Sequence, residues 1–183
     1  MYFKETRKSF IAIGDIYFYT ATIHNWNRLL HEDAVKRIVT DSLYFLWEKK
    51  KIKVYAFVIM LNHIHLIWQL LDKNGKETSQ GSFAKFTAHS FQQYLRTNNP
   101  QLLSSFAVEA NNKKHEFWQR DPVAFQLTRK ETALQKLDYI HNNPLAEHWQ
   151  LCINPVDYYF SSARFYETGV DDFGFLTHIM DEF

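Results

Sequence analysis

The sequence predicts an α+β fold in which helices cover an antiparallel sheet. Three observations predict it. Two apolar runs rich in β-branched and aromatic residues, Lys53 to Met60 and His63 to Leu71, are separated only by Leu61 and Asn62, the pattern of a hairpin. A third such run spans Asp15 to His24. Segments with helical apolar spacing alternate with these runs, which suits helices packed on a sheet.

The elements follow in order. Asp15 to His24 reads as a strand. Glu32 to Lys50 carries apolar residues at Val35, Ile38, Val39, Leu43, Leu46 and Trp47, with Asp33 near its start and lysines at its end, which suits a helix dipole. Lys53 to Met60 is apolar on both faces and is expected to be a central strand. Leu61 and Asn62 form a tight turn, and His63 to Leu71 is the return strand. Asp72 to Gln80 is a polar loop. Ser82 is the expected N-cap of a helix from Phe83 to Arg96, which Thr97 to Pro100 ends. Pro100 to Lys114 shows no clear period. His115 to Leu127 reads as a strand broken near Pro122. Thr128 with Glu131 three residues on makes an expected capping box, and that helix runs to about Asn143, since Pro144 disfavours helix before it. Asn154 to Phe183 is aromatic-rich and is expected to pack around the sheet, so that residues 1–183 form one domain with 150–183 as a C-terminal packing extension.

Composition excludes several classes. The 183 residues are 46% hydrophobic and include 16 Phe, 10 Tyr and 5 Trp, too apolar and aromatic for a disordered chain. Cys152 is the only cysteine, so a disulfide scaffold is excluded, and it is expected to be a small core residue. The longest apolar run, Val54 to Leu61, is too short to span a bilayer, and Met1 to Lys8 lacks the apolar stretch of a signal peptide. A reducing cytoplasm is the expected compartment, with no membrane partner. A formal charge of +1 does not advertise a nucleic-acid binder.

Two residue pairs can carry chemistry. His63 and His65 lie two apart on a strand, so both imidazoles point to one face and can converge on one divalent metal, while Ile64 points the other way into a core. Two histidines at a strand edge that satisfy backbone groups have the same spacing. Tyr139 and Asn143 are one helical turn apart and share a side. A tyrosine there can be a nucleophile, although its ordinary pKa near 10 requires a base or a metal-bound scissile group nearby, and Asn143 can complete a metal site. A core tyrosine before a helix-ending Asn-Pro reads the same way. Lys50, Lys51 and Lys53, and separately Lys113, Lys114 and Arg120, can touch phosphates or form solvated faces. Phe117 and Trp118 can stack on bases or fill the core. His141 and His148 read as structural. No Gly-rich phosphate loop, paired-cysteine motif or zinc-protease motif is present.

Taken together, the segments become specific. The run Tyr55 to Ile67 with its His63 and His65 resembles the HUH strand of single-tyrosine transposases, and Lys136 to Leu145 resembles their tyrosine helix. The similarity is greatest to the REP-associated tyrosine transposases of the IS200-like superfamily. Phe18 to Thr22 with Trp26, Phe83 with Phe86 and Thr87, Phe117 to Gln119, and Tyr159 with Ser161 to Ala163 are further family-like pieces, so that the resemblance covers roughly Ile16 to Gly169. Leu61 departs from the family's usual proline, and Leu145 to Trp149 from an arginine-rich stretch.

The resemblance implies a ferredoxin-like sheet, the HUH endonuclease/transposase fold. It implies Mg²⁺ or Mn²⁺ held by His63, His65 and Asn143. Tyr139 would attack a phosphodiester of single-stranded DNA, forming a 5′-phosphotyrosine link and releasing a 3′-OH. The implied partner is single-stranded DNA with hairpin or palindromic elements, met in the cytoplasm at the nucleoid. A homodimer, with Tyr139 serving its own metal site or a partner's, is a further implication. Such a role calls for a local basic face, with Asp171, Asp172, Asp181 and Glu182 gathered elsewhere. Two other readings compete: a domesticated hairpin-DNA-binding protein with little or no transposition activity, and a structural His-x-His protein that binds zinc. The last requires no proximity between Tyr139 and the histidines.

Overall fold

The computed structural model describes residues 11–110 and 113–183; the segment Met1 to Lys8 read above and the side chain of Lys113 lie outside the described residues. Strand β1 (Ile16–Thr22) leads to helix α1 (Asp33–Glu48), then to strands β2 (Ile52–Ile59) and β3 (His63–Leu70). A small ribbon, β4 (Lys73–Asn74) and β5 (Glu77–Thr78), precedes helices α2 (Ser79–Asn98) and α3 (Pro100–Ser104). A second ribbon, β6 (Ala107–Ala110) and β7 (Lys113–His115), is followed by β8 (Val123–Gln126), α4 (Lys130–Asn142) and α5 (Ala163–Thr168). The main sheet runs β2-β3-β1-β8 with every neighbouring pair antiparallel. The β1–α1–β2 crossover leaves a slot that β3 fills, the ferredoxin-like arrangement.

Strand alternation divides the core into two layers. Tyr19, Ala21, Val54, Phe57, Ile64, Leu66 and Trp68 share one cluster with Val35, Val39 and Leu43 of α1 and Phe83, Phe91 and Leu95 of α2. Phe18, Tyr55, Ala56, Val58 and Ile67 share the other with Ala133, Leu137 and Ile140 of α4. A bulge between Val54 and Ala56 explains how Tyr55 and Ala56, neighbours in sequence, both enter the second cluster. Burial on both faces is why β2 and β3 read as apolar runs rather than as alternating ones. The C-terminal segment covers the outer edge of β2: Ile59 N donates to Phe160 O (2.9 Å), Ser162 N to Phe57 O (2.9 Å) and Thr177 N to Val54 O (2.9 Å). Among the described residues, no helix is long and apolar enough to cross a membrane.

Several local expectations are corrected. Helix α2 begins at Ser79, not Phe83, because the Thr78 hydroxyl accepts from Gly81 N at 3.0 Å; the Ser82 hydroxyl instead accepts from Asn74 Nδ2. The Thr128 capping box does not form. Leu127 N donates to Ile16 O (2.8 Å), which pins the chain to β1, and Arg129 becomes the N-cap with no side-chain bond. The single broken strand expected over His115 to Leu127 is two elements in different sheets, β7 and β8. Cys152 is half-buried rather than a core residue.

Candidate active site

The residues His63 and His65 fall on the β3 face that looks towards α4, because Ile64 and Leu66 take the opposite face. Their register partners on β1 are Thr22 and Thr20, which put short polar side chains beside the imidazoles. The rings are 4.7 Å apart between centroids. On α4, Leu137 and Ile140 turn into the second cluster, while Tyr139 stands 48% exposed at the mouth of the site. Its hydroxyl lies 3.5 Å from His65 Nε2, and its ring lies 5.2 Å from the His65 ring. Asn143, one turn on, sits where Pro144 converts the helix end into a tight 3-10 turn. These four side chains line one cleft of about 620 Å³ with Thr20, Thr22, Trp26, His148 and Trp149.

Hydrogen bonds prepare the imidazoles to act as ligands. His63 Nδ1 is 2.8 Å from Asn62 Oδ1. Asn62 Nδ2 donates to Trp26 O at 3.3 Å, which orients that amide with its oxygen towards the ring. An amide oxygen only accepts, so Nδ1 of His63 carries the proton and Nε2 keeps its lone pair. His65 Nδ1 is 2.7 Å from Thr20 Oγ1; when this ring nitrogen donates, Nε2 carries the lone pair and faces the Tyr139 hydroxyl. Burial lowers His63 to about 4, with Asn143 opposing and His148 assisting. Burial lowers His65 to about 3, assisted by the charges of His63 and Lys136. Both rings are therefore neutral near pH 7.

Asn143 Oδ1 is buried beside His63, whose protonated form it favours, yet no hydrogen bond of good geometry satisfies it. An orphaned buried oxygen beside His63, with the His65 ring 4.7 Å further on, is a donor set that fits a divalent cation. Among the described residues, no group of three or more His, Cys, Asp or Glu side chains is placed to hold a metal, so a third donor beside the two imidazoles would have to be an amide.

The basic candidates are elsewhere or paired. Lys51 meets Asp72 at 2.6 Å and Lys53 meets Glu182 at 2.6 Å. With Lys50 they stand where β2 pairs with Leu70, at the opposite end of the sheet from His63, roughly 20 Å along the strands. Lys114 is exposed on the β6–β7 ribbon, and Arg120 pairs with Glu116 at 3.1 Å. Phe117 is buried, and Trp118 Nε1 donates to Thr87 Oγ1 at 2.9 Å while its ring packs on Phe83 and Phe91, so both are core residues. Among the described residues, no Lys or Arg lines the cleft itself. Two stand at its rim: Lys136, whose ammonium lies 5.7 Å from the Tyr139 ring centre and 4.7 Å from that of Phe18, and Arg28, 6.0 Å from that of Trp149.

The sequence reading missed three residues. Asn62 looked like a turn residue, His148 like a structural one, and Trp149 carried no pattern. His141 is structural: its Nε2 is 2.9 Å from Ser162 Oγ.

The cleft thus lies on a ferredoxin-like antiparallel sheet that carries two inward imidazoles and is faced by a tyrosine on the helix that follows its last strand. The structure of a REP-associated tyrosine transposase bound to a REP hairpin shares this fold: TM-score 0.59 and 16% identity, over 94% of this chain and 91% of that one. A provisionally named transposase of Deinococcus radiodurans R1 aligns with a TM-score of 0.40 and 15% identity, over 74% of this chain and 96% of that one. At 16% identity the first likeness is one of fold alone. No protein-family model matches the chain, and no curated protein is similar to it.

Proposed function

We propose that this protein is a transposase-type enzyme that cleaves and rejoins single-stranded DNA flanked by hairpins, with Tyr139 as nucleophile. The observation that carries the reading is the convergence, in one cleft, of two neutral imidazoles with the Tyr139 hydroxyl, 3.5 Å from His65 Nε2, and the Asn143 amide beside His63. A structural His-x-His site does not call for a half-exposed tyrosine hydroxyl within 3.5 Å of the second histidine. The fold shared with a hairpin-bound transposase supports the choice of DNA.

The chain's residues divide the work. His63, His65 and Asn143 would hold Mg²⁺ or Mn²⁺, and two nitrogen donors favour the transition ion. The bound ion would polarise the scissile phosphate and offset its developing charge. Tyr139 Oη forms the new P–O bond as the bond from phosphorus to the 3′ oxygen breaks. The phenolic proton leaves through the open mouth, and the departing 3′ oxygen takes one up. Lys136 lies against the Tyr139 ring, where a cation stabilises negative charge on the phenolate that leaves in the reverse step. The covalent ester preserves the bond energy, so that a 3′-OH can later displace Tyr139 and rejoin strands.

The experiment is adduct formation on hairpin-bearing single-stranded DNA taken from the sequences beside the gene. The wild type is expected to form a protein–DNA adduct that EDTA abolishes and Mn²⁺ restores. Hairpin binding with no cleavage under any metal would identify a DNA-binding protein instead.

A further inference from the structure

Beyond the cleavage chemistry, the cleft contains an aromatic platform that this chemistry does not use. Trp26 is 63% exposed yet lines the cleft with Trp149. Its backbone is unusual: Asn25 and Trp26 have φ of 54° and 57°, two successive left-handed residues, one of them bulky. Hydrogen bonds hold them there. Trp26 N donates to Ile23 O (2.9 Å), Asn62 Nδ2 to Trp26 O (3.3 Å) and Asn27 Nδ2 to His24 O (3.0 Å). A strained turn that displays an indole to solvent, tied through Asn62 to a candidate metal ligand, is an arrangement found at ligand sites. Trp149 lines the same cleft, 5.8 Å from His63 between ring centroids, with the Arg28 guanidinium 6.0 Å from its own ring centre.

The order of rings across the floor gives the platform a polarity. Tyr139 abuts His65 (5.2 Å), His65 abuts His63 (4.7 Å), and His63 abuts Trp149 (5.8 Å). The tyrosine and the tryptophan therefore stand at opposite ends of the imidazole pair. In a phosphoryl transfer the attacking and leaving oxygens lie roughly in line through phosphorus. With the phosphate over the imidazoles and Tyr139 attacking from one end, the 3′ oxygen departs towards the other.

We infer that Trp26 and Trp149 form a stacking subsite for the base of the nucleotide that carries the departing 3′ oxygen. This inference rests on the cleavage reading above. The subsite has a chemical purpose within it. After cleavage the strand that begins with the 5′ phosphate is bonded to Tyr139, whereas the strand ending in the 3′-OH is held by nothing covalent. Stacking on an indole is available to every base and needs no sequence-specific hydrogen bonds, so it retains that strand for the reverse attack. Arg28 adds a cation beside the stack.

The test uses full-length protein and a hairpin oligonucleotide whose cleavage position has been mapped. An abasic residue on the 3′-oxygen side is expected to lower rejoining about 10-fold, and the same lesion on the tyrosine-linked side much less. Trp26→Ala should lower rejoining to the same extent on intact DNA and make it indifferent to the first lesion. Because Trp26 is exposed, this variant is expected to fold; circular dichroism checks it. A binding arm needs no chemistry: Tyr139→Phe protein should quench 2-aminopurine at the 3′-oxygen position and not at its neighbour across the scissile phosphate, and adding Trp26→Ala should remove the quench. Equal effects at the two positions, or no change with Trp26→Ala, would overturn the subsite while adduct formation by the wild type leaves the cleavage reading standing. A position-specific quench without any adduct in the wild type would overturn the cleavage reading and leave a base-stacking cleft.

Discussion

Asn62 joins the two halves of the cleft through one amide. Its oxygen fixes the His63 proton on Nδ1, and its nitrogen holds the Trp26 carbonyl. Such partners of metal ligands typically matter by 10- to 100-fold in metal affinity. Asn62→Ala is therefore expected to weaken Mn²⁺ binding by roughly 10-fold or more, read by titration calorimetry, while His63 and His65 remain in place. Affinity equal to wild type would remove Asn62 from the site. At this scale the sequence was partly legible. His63 and His65 could be paired because strand alternation has a period of two, and Tyr139 and Asn143 because a helix turn is about four residues. Trp26, Asn62 and Trp149 could not be assembled. They lie far apart in the chain, each is an isolated side chain, and only the β1–β3 register together with the turn after Pro144 brings them to one wall.

At the scale of elements, the position of α4 decides whether Tyr139 reaches His65. The inner side of α4 is set by Ala133, Leu137 and Ile140 in the second cluster. His141 supplies a polar tether: its Nε2 meets Ser162 Oγ, which also accepts from Phe57 N at 3.0 Å. The C-terminal segment thus ties α4 to the edge of β2. Ser162→Ala leaves the half-buried His141 ring and the buried Phe57 amide without that partner, and is expected to destabilise the protein by about 1–3 kcal/mol. The measurement is chemical unfolding, together with adduct formation, which should fall more than the population of folded protein does. A stability change below about 0.5 kcal/mol would mean that water replaces the hydroxyl. Most elements were legible from periodicity, the β2–β3 hairpin above all. The starts of α2 and α4 were not, whereas that of α1 was. Thr78 and Thr128 are equally good capping residues in the sequence, and the β4–β5 ribbon makes one a cap while the bond from Leu127 to Ile16 draws the chain past the other.

Across the whole molecule, three histidines, two buried and one half-buried, link stability to pH. Burial lowers His63 to about 4, His65 to about 3 and His141 to about 4, against an ordinary value near 6.5. Between those limits the unfolded chain binds protons that the folded chain does not, so unfolding takes up protons and stability rises with pH. The contribution is complete above about pH 6.5 and is lost as pH falls through 4 and below. Unfolding in EDTA at a series of pH values should show an uptake approaching three protons near pH 5, and His141→Gln should reduce it by about one. An uptake unaffected by that substitution would contradict the buried, neutral assignment. The near-neutral composition also acquires a spatial meaning. Lys51 and Lys53 are neutralised by Asp72 and Glu182 at the far end of the sheet, and Arg164 by Asp172, while Lys136 and Arg28 stand at the cleft rim over aromatic rings. No broad basic face was needed to produce a charge of +1, and none lines the cleft.

The central claim is that Tyr139 is the nucleophile. It is tested most directly by incubating wild type and Tyr139→Phe with Mn²⁺ and a hairpin oligonucleotide labelled at its 3′ end, followed by denaturing electrophoresis and mass spectrometry of the adduct. The predicted result is label migrating with the wild-type protein, a DNA 5′-phosphate on the peptide containing Tyr139, a free 3′-OH on the released strand, and no adduct from Tyr139→Phe despite unchanged folding. An adduct that persists in Tyr139→Phe, or cleavage that yields only free strands, would contradict it.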